Sequence, residues 1–491
     1  MGIVRVSAVS LALVLLLSLP VAASGFEALG VGAKATAMGG AFRAVADDWT
    51  AAYYNPAGYA DMLDNQLGGN LALFSYRNEI TPKYKWGGQY ETGIINGLPG
   101  YNVDEILNNP SAGLALRFPV FGESVVGLSA YQPFDYNVRW NLYRNLRTYN
   151  DSLILPANQY QNNFDVVAFQ LTAAREYIEE KLSLGVGLQL LRADLLYTGV
   201  LFRDNPYLAR DPEWPYADRP YEKITQWMSN DGMGWGFGFN LGAKLKQSER
   251  LTLAATVAVP LDITVKGESA LEFYMPKIEI REAGFPPSGT VEDMLTAGGK
   301  IVDSADYEAI LSLPPSFGIG LAYRAHEQLL LTVDAEYTLW SRFDGLSFEY
   351  TNHRGLRGPA DTAADMREFF TADIANAVDW SNTVQLMAGL AFDYSDYVTL
   401  LSGFSMDQSA ARKDEQFHPL FFDLGTSLSF SGGLLVHFER WDLGVSTGYT
   451  HYPDATVEDL EDNDGDGNPD NFAGAYKGAT YQTVFSFNYR F

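Results

Sequence analysis

The last eleven residues decide the fold: Tyr481-Gln482-Thr483-Val484-Phe485-Ser486-Phe487-Asn488-Tyr489-Arg490-Phe491. Their side chains alternate with period two, which is the period of a β-strand. One face carries the aromatic rings of Tyr481, Phe485, Phe487, Tyr489 and Phe491, and the opposite face carries Ser486, Asn488 and Arg490. Such a strand packs its rings either on the second sheet of a soluble sandwich or on lipid in a membrane barrel.

The start of the chain has the features of a secretory signal peptide. Arg5 supplies a positive charge, residues 8–19 form an apolar run, and small residues follow at positions 22–24. This order predicts a signal peptide over residues 1–24 with cleavage near Ser24. The alternative, a membrane anchor, needs about 20 apolar residues to span a bilayer, more than this run contains. Export of the chain favours the membrane barrel over the soluble sandwich. A strand that ends on an aromatic residue also resembles the C-terminal signal of outer-membrane barrels, which their assembly machinery reads. The barrel assembly machinery is therefore an expected partner.

Composition supports this interpretation and excludes several classes of protein. The 491 residues include 46 Gly, 14% are aromatic and 19% are charged, a mixture that suits strands and tight turns. There is no cysteine, which excludes disulfide scaffolds, thiol nucleophiles and cysteine-ligated metals. The chain has 34 basic and 60 acidic residues, a net charge of −26, so nucleic acid is not an expected partner.

Alternating segments occur in pairs that are joined by short polar turns and separated by longer connections. The short turns are predicted at 121–124, 176–181, 247–250, 324–328, 394–397 and 439–442, and the long connections at 80–111, 142–162, 199–231, 274–314, 351–379, 407–419 and 453–475. These thirteen connections predict an all-β fold, a transmembrane antiparallel β-barrel of about 14 strands over residues 64–491. Within 329–338, Asp334 and Glu336 should face the lumen, because a carboxylate in hydrocarbon is costly.

Residues 25–63, ahead of the first strand, have a different composition. Between Ala28 and Ala60, 16 of 33 residues are Gly or Ala, and no strand alternation is present. Asp47 is placed to N-cap a short helix through 48–54, which Pro56 would end. The segment is either a periplasmic appendage or a plug in the lumen, since small residues allow close packing.

Two short motifs in this segment resemble a known family. Ala46-Asp47-Asp48, followed by Asn55-Pro56-Ala57-Gly58, is similar to the N-terminal hatch motif of the FadL family, outer-membrane transport proteins for long-chain fatty acids and other hydrophobic compounds. Stretches within 313–341 and 380–409 are similar as well. The resemblance implies a barrel of fourteen strands plugged by a helical hatch. It also implies capture at the cell surface, passage through a lumenal pocket and lateral exit through the barrel wall.

Candidate ligand-binding residues follow from this resemblance and from the chemistry of the ligand. The two longest loops contain apolar side chains that could capture an amphiphile or, alternatively, pack the loops onto the rim: Phe202, Trp214, Trp227, Met294 and Leu295. A carboxylate ligand would need a lumenal cation. Arg192 in the fifth strand lies near the position where the family has a basic residue, and Arg139 in the third strand is a second candidate. Alternatively, these arginines pair with Asp334 or Glu336.

The third strand contains a proline that marks a candidate lateral gate. Gln132-Pro133-Phe134 lies inside the predicted strand 126–136, and a proline cannot donate to the neighbouring strand. The sequence therefore predicts a kink or bulge at Pro133. The family has a kink in this strand that opens a side gap, so these three residues are the predicted gate. Alternatively, Pro133 lies above the membrane, where a break has no consequence.

The last long loop contains an acidic motif with the spacing of a calcium site. Oxygen ligands recur at Asp462, Asp464, Asp466, Asn468 and Asp470. The spacing matches part of an EF-hand loop, but Ala473 stands where the bidentate glutamate would be. Structural calcium is therefore a candidate, and a solvated acidic turn is the alternative.

The five histidines are scattered without metal-ligand spacing, and the sequence contains no nucleophile elbow, P-loop or dinucleotide fingerprint. We therefore expect no enzymatic activity and no required cofactor. The expected function is passive uptake of hydrophobic small molecules, above all long-chain fatty acids, by a monomer in contact with outer-membrane lipid. The alternatives are a protein-binding or secretion component and a channel for aromatic hydrocarbons.

Overall fold

The structure is a computed structural model that describes residues 25–27, 30–82, 100–101, 106–118, 124–140, 156, 158–206, 223–276, 287–411, 420–421, 425–458 and 474–491. The predicted signal peptide, Trp214 and the acidic motif from Asp462 to Asp470 lie outside the described residues.

The described residues contain nineteen antiparallel strands in one sheet. They are β1 Gln66–Pro82, β2 Gly100–Tyr101, β3 Ile106–Phe118, β4 Ser124–Trp140, β5 Tyr160–Ile178, β6 Leu182–Asp204, β7 Lys223–Ser248, β8 Leu251–Pro260, β9 Ile263–Tyr274, β10 Lys300–Leu311, β11 Ser316–His326, β12 Leu329–Thr338, β13 Gly345–Thr351, β14 Ile374–Ala377, β15 Thr383–Ser395, β16 Val398–Asp407, β17 Ser427–His437, β18 Trp441–Val457 and β19 Gly474–Arg490. The C-terminal strand β19 pairs with β1 over its whole length, from Gln66 with Arg490 to Pro82 with Gly474, and this pairing closes a barrel.

Fourteen strands form the ring of this barrel. The short strands β2, β13 and β14 lie beside the ring, while β8 continues into β9 and β10 continues into β11, each pair filling one position. Removing three short strands and counting each continuous pair once leaves fourteen, so the predicted strand number is confirmed. The strands at the predicted short turns 176–181, 247–250, 324–328, 394–397 and 439–442 are adjacent in the sheet.

The predicted alternation of faces is also confirmed. On the C-terminal strand, Tyr481, Phe485 and Phe487 are exposed on the outside of the barrel, where lipid would lie. On β6, Leu184, Val186, Leu188 and Leu190 are exposed on the outside. On β12, Asp334 is 1% exposed and points into the lumen, as the cost of a carboxylate in hydrocarbon requires.

The long connections are more ordered than the sequence predicted. Strands β6 and β7 stay paired up to Asp204 with Lys223, deep inside the predicted loop 199–231. The predicted connection 274–314 contains α3 Val291–Thr296 and β10, and the predicted connection 351–379 contains α4 Pro359–Thr362 and α5 Ala364–Thr371. A 3₁₀ helix at Trp340–Arg342 follows β12. In this region both faces of β6 are covered, as the consecutive buried residues 197–200 show, so the alternation that identifies a membrane strand is lost.

The segment before β1 folds inside the barrel as a plug, which we call the hatch (residues 25–62). It contains α1 Ala33–Ala37, α2 Ala51–Tyr54 and the 3₁₀ helix Pro56–Asp61. Asn55 is extended and ends α2 as predicted. The predicted N-cap is wrong: α2 begins after Thr50, because Asp48 accepts a hydrogen bond from the Thr50 backbone and forms a turn there. Asp47 pairs with Lys34 instead, at 2.7 Å. None of the helices in the described ranges is long and apolar enough to cross a membrane.

Candidate functional site

The motif Asn55-Pro56-Ala57-Gly58 joins the hatch to the barrel wall. The Asn55 side chain is fully buried; its Oδ1 accepts from the Ala57 backbone at 3.1 Å. Its Nδ2 donates to the carbonyl of Arg43 at 3.0 Å and to that of Ala243, on β7, at 3.3 Å. One amide therefore caps a helix, closes a hatch turn and bonds to the wall, which explains why a residue with both donor and acceptor stands here.

Glycines on the wall make room for this motif. A Cβ atom at Gly185 of β6 would overlap with the backbone of Pro56, and one at Gly242 of β7 would overlap with the side chain of Asn55. Within the hatch, a Cβ atom at Gly58 would overlap with the carbonyl oxygen of Ala46. The motif and the wall glycines thus form one close contact that fixes the hatch against β6 and β7.

The cation that pairs with the lumenal carboxylates is Arg43 of the hatch. Its guanidinium contacts Asp334 at 3.5 Å, forms a closer ion pair with Glu336, and donates to Thr256 at 3.2 Å. Its backbone N–H donates to Asp334 at 2.9 Å. The sequence-based interpretation missed Arg43. The available signal was that two lumenal carboxylates need a cation, and Arg43 is one of two basic residues in the hatch.

The predicted positions of Arg192 and Arg139 in the lumen are wrong. Leu191 and Ala193, the neighbours of Arg192, are fully buried on the lumenal side, so Arg192 points away from the lumen. Its Nη2 pairs with Asp194 on the same outer face at 2.7 Å. Arg139 likewise lies between the buried side chains of Val138 and Trp140, on the face away from the lumen. Neither arginine is placed to receive a carboxylate inside the barrel.

An aromatic cage surrounds Phe26, at the N-terminal end of the hatch, on the side of the long loops. Phe26 occupies its centre with its ring 1% exposed, and six rings surround it at centroid distances of 4.7–6.3 Å: Tyr136, Phe164, Trp340, Phe343, Trp380 and Phe421. The rings come from β4, β5, the segment after β12, the segment before β15 and the segment before β17. The indole nitrogens of Trp340 and Trp380 are buried without a hydrogen-bond partner among the described residues. The sequence-based interpretation did not identify this cage, because its rings are far apart in sequence.

The wall beside the cage is interrupted at Pro133. Strand β4 pairs with β3 only from Ser124 to Ala130, and its pairing with β5 skips Gln132 and Pro133. The predicted bulge is therefore present. Beyond Ala130, where β3 no longer pairs with β4, the start of the hatch pairs with β4 instead. The Asp135 N–H donates to the carbonyl of Phe26 at 3.0 Å, and Glu27 forms an antiparallel β-bridge with Phe134.

Cavities lie on both sides of this interruption. A lumenal cavity of about 160 Å³ beside the hatch is lined by Tyr131, Pro133, Phe134 and Gln189, together with Glu336 and other polar side chains. Gln189 also lines a hollow on the outer surface of the barrel. Gln189 of β6 therefore borders both the lumenal cavity and the outer hollow.

The predicted capture residues mainly pack the extracellular segments. Phe202 and Leu295 are buried, Met294 packs against them as part of the same apolar core, and the Trp227 indole donates to the carbonyl of Asn158 at 2.8 Å. This arrangement fits the alternative of rim packing for these four residues. Among the described residues, no group of three or more His, Asp or Glu side chains could hold a metal ion. Calcium binding by the acidic motif stays a prediction.

These features define a class: a closed outer-membrane β-barrel with a buried hatch and an internal apolar site. A family model of outer membrane transport proteins (OMPP1/FadL/TodX) matches residues 14–491, so the chain belongs to this family. It is accordingly an outer-membrane protein of a family that transports hydrophobic compounds. No curated protein sequence matches the chain.

Solved structures with the same fold agree with this membership. A FadL homologue of Pseudomonas aeruginosa superposes with a TM-score of 0.70 at 16% identity, over 95% of this chain and 100% of the other. The toluene transporter TodX of Pseudomonas putida gives 0.66 at 14% identity, over 94% and 99%. The toluene transporter TbuX of Ralstonia pickettii gives 0.62 at 14% identity, over 94% and 98%.

Proposed function

We propose that this protein takes up an uncharged hydrophobic compound with about the size of one aromatic ring. The observation that carries the proposal is the cage, in which six rings already enclose the side chain of Phe26. That side chain has the carbon skeleton of toluene. Withdrawal of Phe26 would leave a site whose walls offer edge-to-face contacts to a similar ring.

Charge in the lumen argues against an anionic ligand. Glu27 follows Phe26 directly and accepts a hydrogen bond from Thr338, while Asp334 and Glu336 line the wall nearby. Arg43 is already paired with both of these carboxylates. The expectation of long-chain fatty acids came from the family resemblance, and its candidate partners for a carboxylate, Arg192 and Arg139, both face away from the lumen. Two of the solved relatives are toluene transporters, which supports the aromatic alternative.

The proposed route leads from the extracellular segments into the cage and then sideways into the membrane. Gln132, Pro133 and Phe134 form the gate, since pairing between β3 and β4 ends just below them and neither Gln132 nor Pro133 pairs with β5. The hatch regulates passage because Phe26 and Glu27 lie on the same edge of β4. Transport along this route is diffusion between apolar sites and needs no cofactor.

Uptake in a Gram-negative host that lacks its own barrel of this family tests the proposal. Cells that carry the protein should accumulate radiolabelled toluene faster than cells with the empty vector, and should not accumulate oleate faster. Faster uptake of oleate than of toluene would instead support fatty acids. If neither compound enters while the protein is folded in the outer membrane, the proposal is refuted and the alternative of a protein-binding or secretion component is favoured.

A further inference from the structure

Two tryptophans of the cage carry buried hydrogen-bond donors. Trp340 and Trp380 are 0% and 3% exposed, and neither indole Nε1 has a hydrogen-bond partner among the described residues. An indole N–H can only donate, and the ring fixes its direction, so it cannot turn toward another acceptor as a hydroxyl can. Buried donors in native proteins are almost always paired, and an exception needs an explanation.

Both indoles border the position that a ligand ring would take. The ring centroids of Trp340 and Trp380 lie 5.3 Å and 4.7 Å from that of Phe26, and 5.3 Å from each other. The backbone before Phe26 covers Trp340 next to its nitrogen, since a Cβ atom at Gly25 would overlap with Cε2, the carbon bonded to Nε1. Withdrawal of Gly25 and Phe26 would therefore uncover this part of Trp340. A short polar group on a ligand ring in the same place would reach it.

The rest of the cage offers few acceptors. Its other rings belong to one tyrosine and three phenylalanines: Tyr136, Phe164, Phe343 and Phe421. A water molecule between these rings would need about two to four polar partners of its own, which phenyl rings do not supply. An acceptor carried by the ligand pairs with an indole N–H and brings its own apolar ring to the phenyl walls.

The matching acceptor is an uncharged oxygen. Glu27 follows Phe26 directly, so a carboxylate on the ligand would lie close to a second carboxyl group. The cation of the lumen, Arg43, is already paired with Asp334 and Glu336. A ketone or ester oxygen accepts a hydrogen bond without adding a charge, so it satisfies the indole without this repulsion.

We infer that the cage selects single-ring aromatic compounds with an uncharged acceptor oxygen, such as aryl ketones and aryl esters, and that Trp340 and Trp380 bind this oxygen. The inference rests on the proposed function, because the ligand ring must take the place of Phe26. A hydrocarbon of the same shape still fits between the rings but leaves the donors unpaired. Sites that hydrogen-bond one ligand disfavour the analogue that lacks the polar atom.

Acetophenone and ethylbenzene are a matched pair of ligands, because they differ only by a carbonyl group in place of a methylene group. Isothermal titration calorimetry of the protein in detergent measures both compounds, before and after the double exchange Trp340→Phe/Trp380→Phe. The exchange keeps two aromatic rings and removes both donors. It should weaken binding of acetophenone at least about fivefold more than binding of ethylbenzene. Since each compound is compared with itself, its partitioning into detergent cancels.

A control variant and three outcomes make the experiment decisive. Trp441→Phe makes the same exchange at an exposed position of β18 outside the cage, and should leave both affinities unchanged. Equal losses for the two compounds in the double variant would show that the tryptophans act by packing alone, and would overturn the inference. Binding of ethylbenzene without acetophenone would also overturn it but leave the proposed function intact. If neither compound binds to the unmodified protein, the proposed function fails as well.

The carbonyl stretch of bound acetophenone tests the contact without any substitution, and so decides even if the double variant does not fold. A carbonyl that accepts a hydrogen bond absorbs at lower frequency than the same carbonyl in hexane. Infrared difference spectra with and without excess ethylbenzene as a competitor isolate the bound ketone. A stretch below the hexane frequency is expected, whereas a stretch at the hexane frequency would show that the oxygen has no donor and would refute the inference. Benzoate should bind more weakly than acetophenone; tighter binding would refute the requirement for an uncharged oxygen.

Discussion

At the scale of single residues, the most consequential side chain is Arg43, because it is the cation for two lumenal carboxylates. Arg43→Met should lower the free energy of unfolding by about 3–5 kcal/mol, since two buried carboxylates lose their partner. Lys34→Met is the matched control in the same hatch. Its pair with Asp47 is partly exposed, so the loss should be below about 1 kcal/mol.

Unfolding in guanidinium, followed by tryptophan fluorescence, measures both variants. Adding Asp334→Asn and Glu336→Gln to Arg43→Met should recover part of the stability, because the unpaired charges are removed with their partner. Equal effects of Arg43→Met and Lys34→Met would show that the buried ion pairs do not hold the hatch.

Phe26 should behave as an internal competitor of the ligand. Phe26→Ala vacates the centre of the cage, so toluene should bind about tenfold more tightly, equivalent to about 1.4 kcal/mol. Quenching of the Trp340 and Trp380 fluorescence during titration reports binding. Phe42→Ala removes a ring of the same size from the hatch, where Phe42 packs on Tyr54 and not in the cage. It should leave the affinity unchanged, and equal gains in both variants would refute the competitor role.

The sequence assigned some of these residues correctly and others not, for a physical reason. Asp334 and Glu336 were placed in the lumen because a carboxylate on the other face of the strand would lie in lipid, which is costly. Arg192 was misplaced although it has the same parity as Leu184, Leu188 and Leu190, which face lipid. In a strand a shift of one residue reverses the face. An approximate match to a family position therefore cannot replace the parity of the strand itself.

At the scale of elements, the hatch and wall form one packing unit in which glycines determine the fit. Gly242→Ala would place a methyl group against Asn55 and force it away from β7. Such overpacking costs about 1–3 kcal/mol, so the thermal midpoint of unfolding should fall by several degrees. Gly432→Ala on β17 is the matched control, since nothing lies within 3.5 Å of the added Cβ. Gel-shift measurements over a temperature series compare the two; equal midpoints would show that the contact is not tight.

Elements within the membrane were predictable, whereas those outside it were not. Lipid on one side and a polar lumen on the other impose alternation, so fourteen strands and their turns could be counted. Above the membrane, strands β9 and β10 still alternate, but their apolar side chains face inward and polar side chains such as Lys266 and Glu308 face outward, so they lack the apolar outer face that identifies a membrane strand. The cage depends on contacts between residues such as Phe26 and Phe421 that only the closed barrel brings together.

At the scale of the whole molecule, the described strands of the ring each pair with both neighbours, but the pairing of β3 with β4 ends early. Strands β1 and β19 are paired over seventeen residues, whereas β3 and β4 separate above Ala112 and Ala130. The hatch lies in the lumen beside this interruption and is held against β6 and β7. Sideways exit at the interruption therefore requires no displacement of the hatch from β6 and β7, whereas exit along the barrel axis does.

A reversible cross-link across this seam distinguishes the two routes. The chain has no cysteine, so within one molecule the pair Ala112→Cys/Ala130→Cys can form only the intended disulfide, and non-reducing gels exclude cross-linked dimers. Directly opposed Cβ atoms in antiparallel strands lie about 4.5–5.5 Å apart, close enough for the bond after a small adjustment. The bond fixes the last rung below Pro133 and stops β3 from separating further from β4.

Uptake of the transported compound should fall severalfold in oxidised cells and recover after a reductant is added. The control pair Leu400→Cys/Leu434→Cys joins β16 to β17 at an outward position far along the ring from the seam. Uptake through the control variant should be the same in oxidised and reduced cells, because β16 and β17 have no gap to widen. If the seam pair transports equally well when oxidised and reduced, the compound leaves past the hatch, and the sequence pattern at Pro133 marks only a structural bulge.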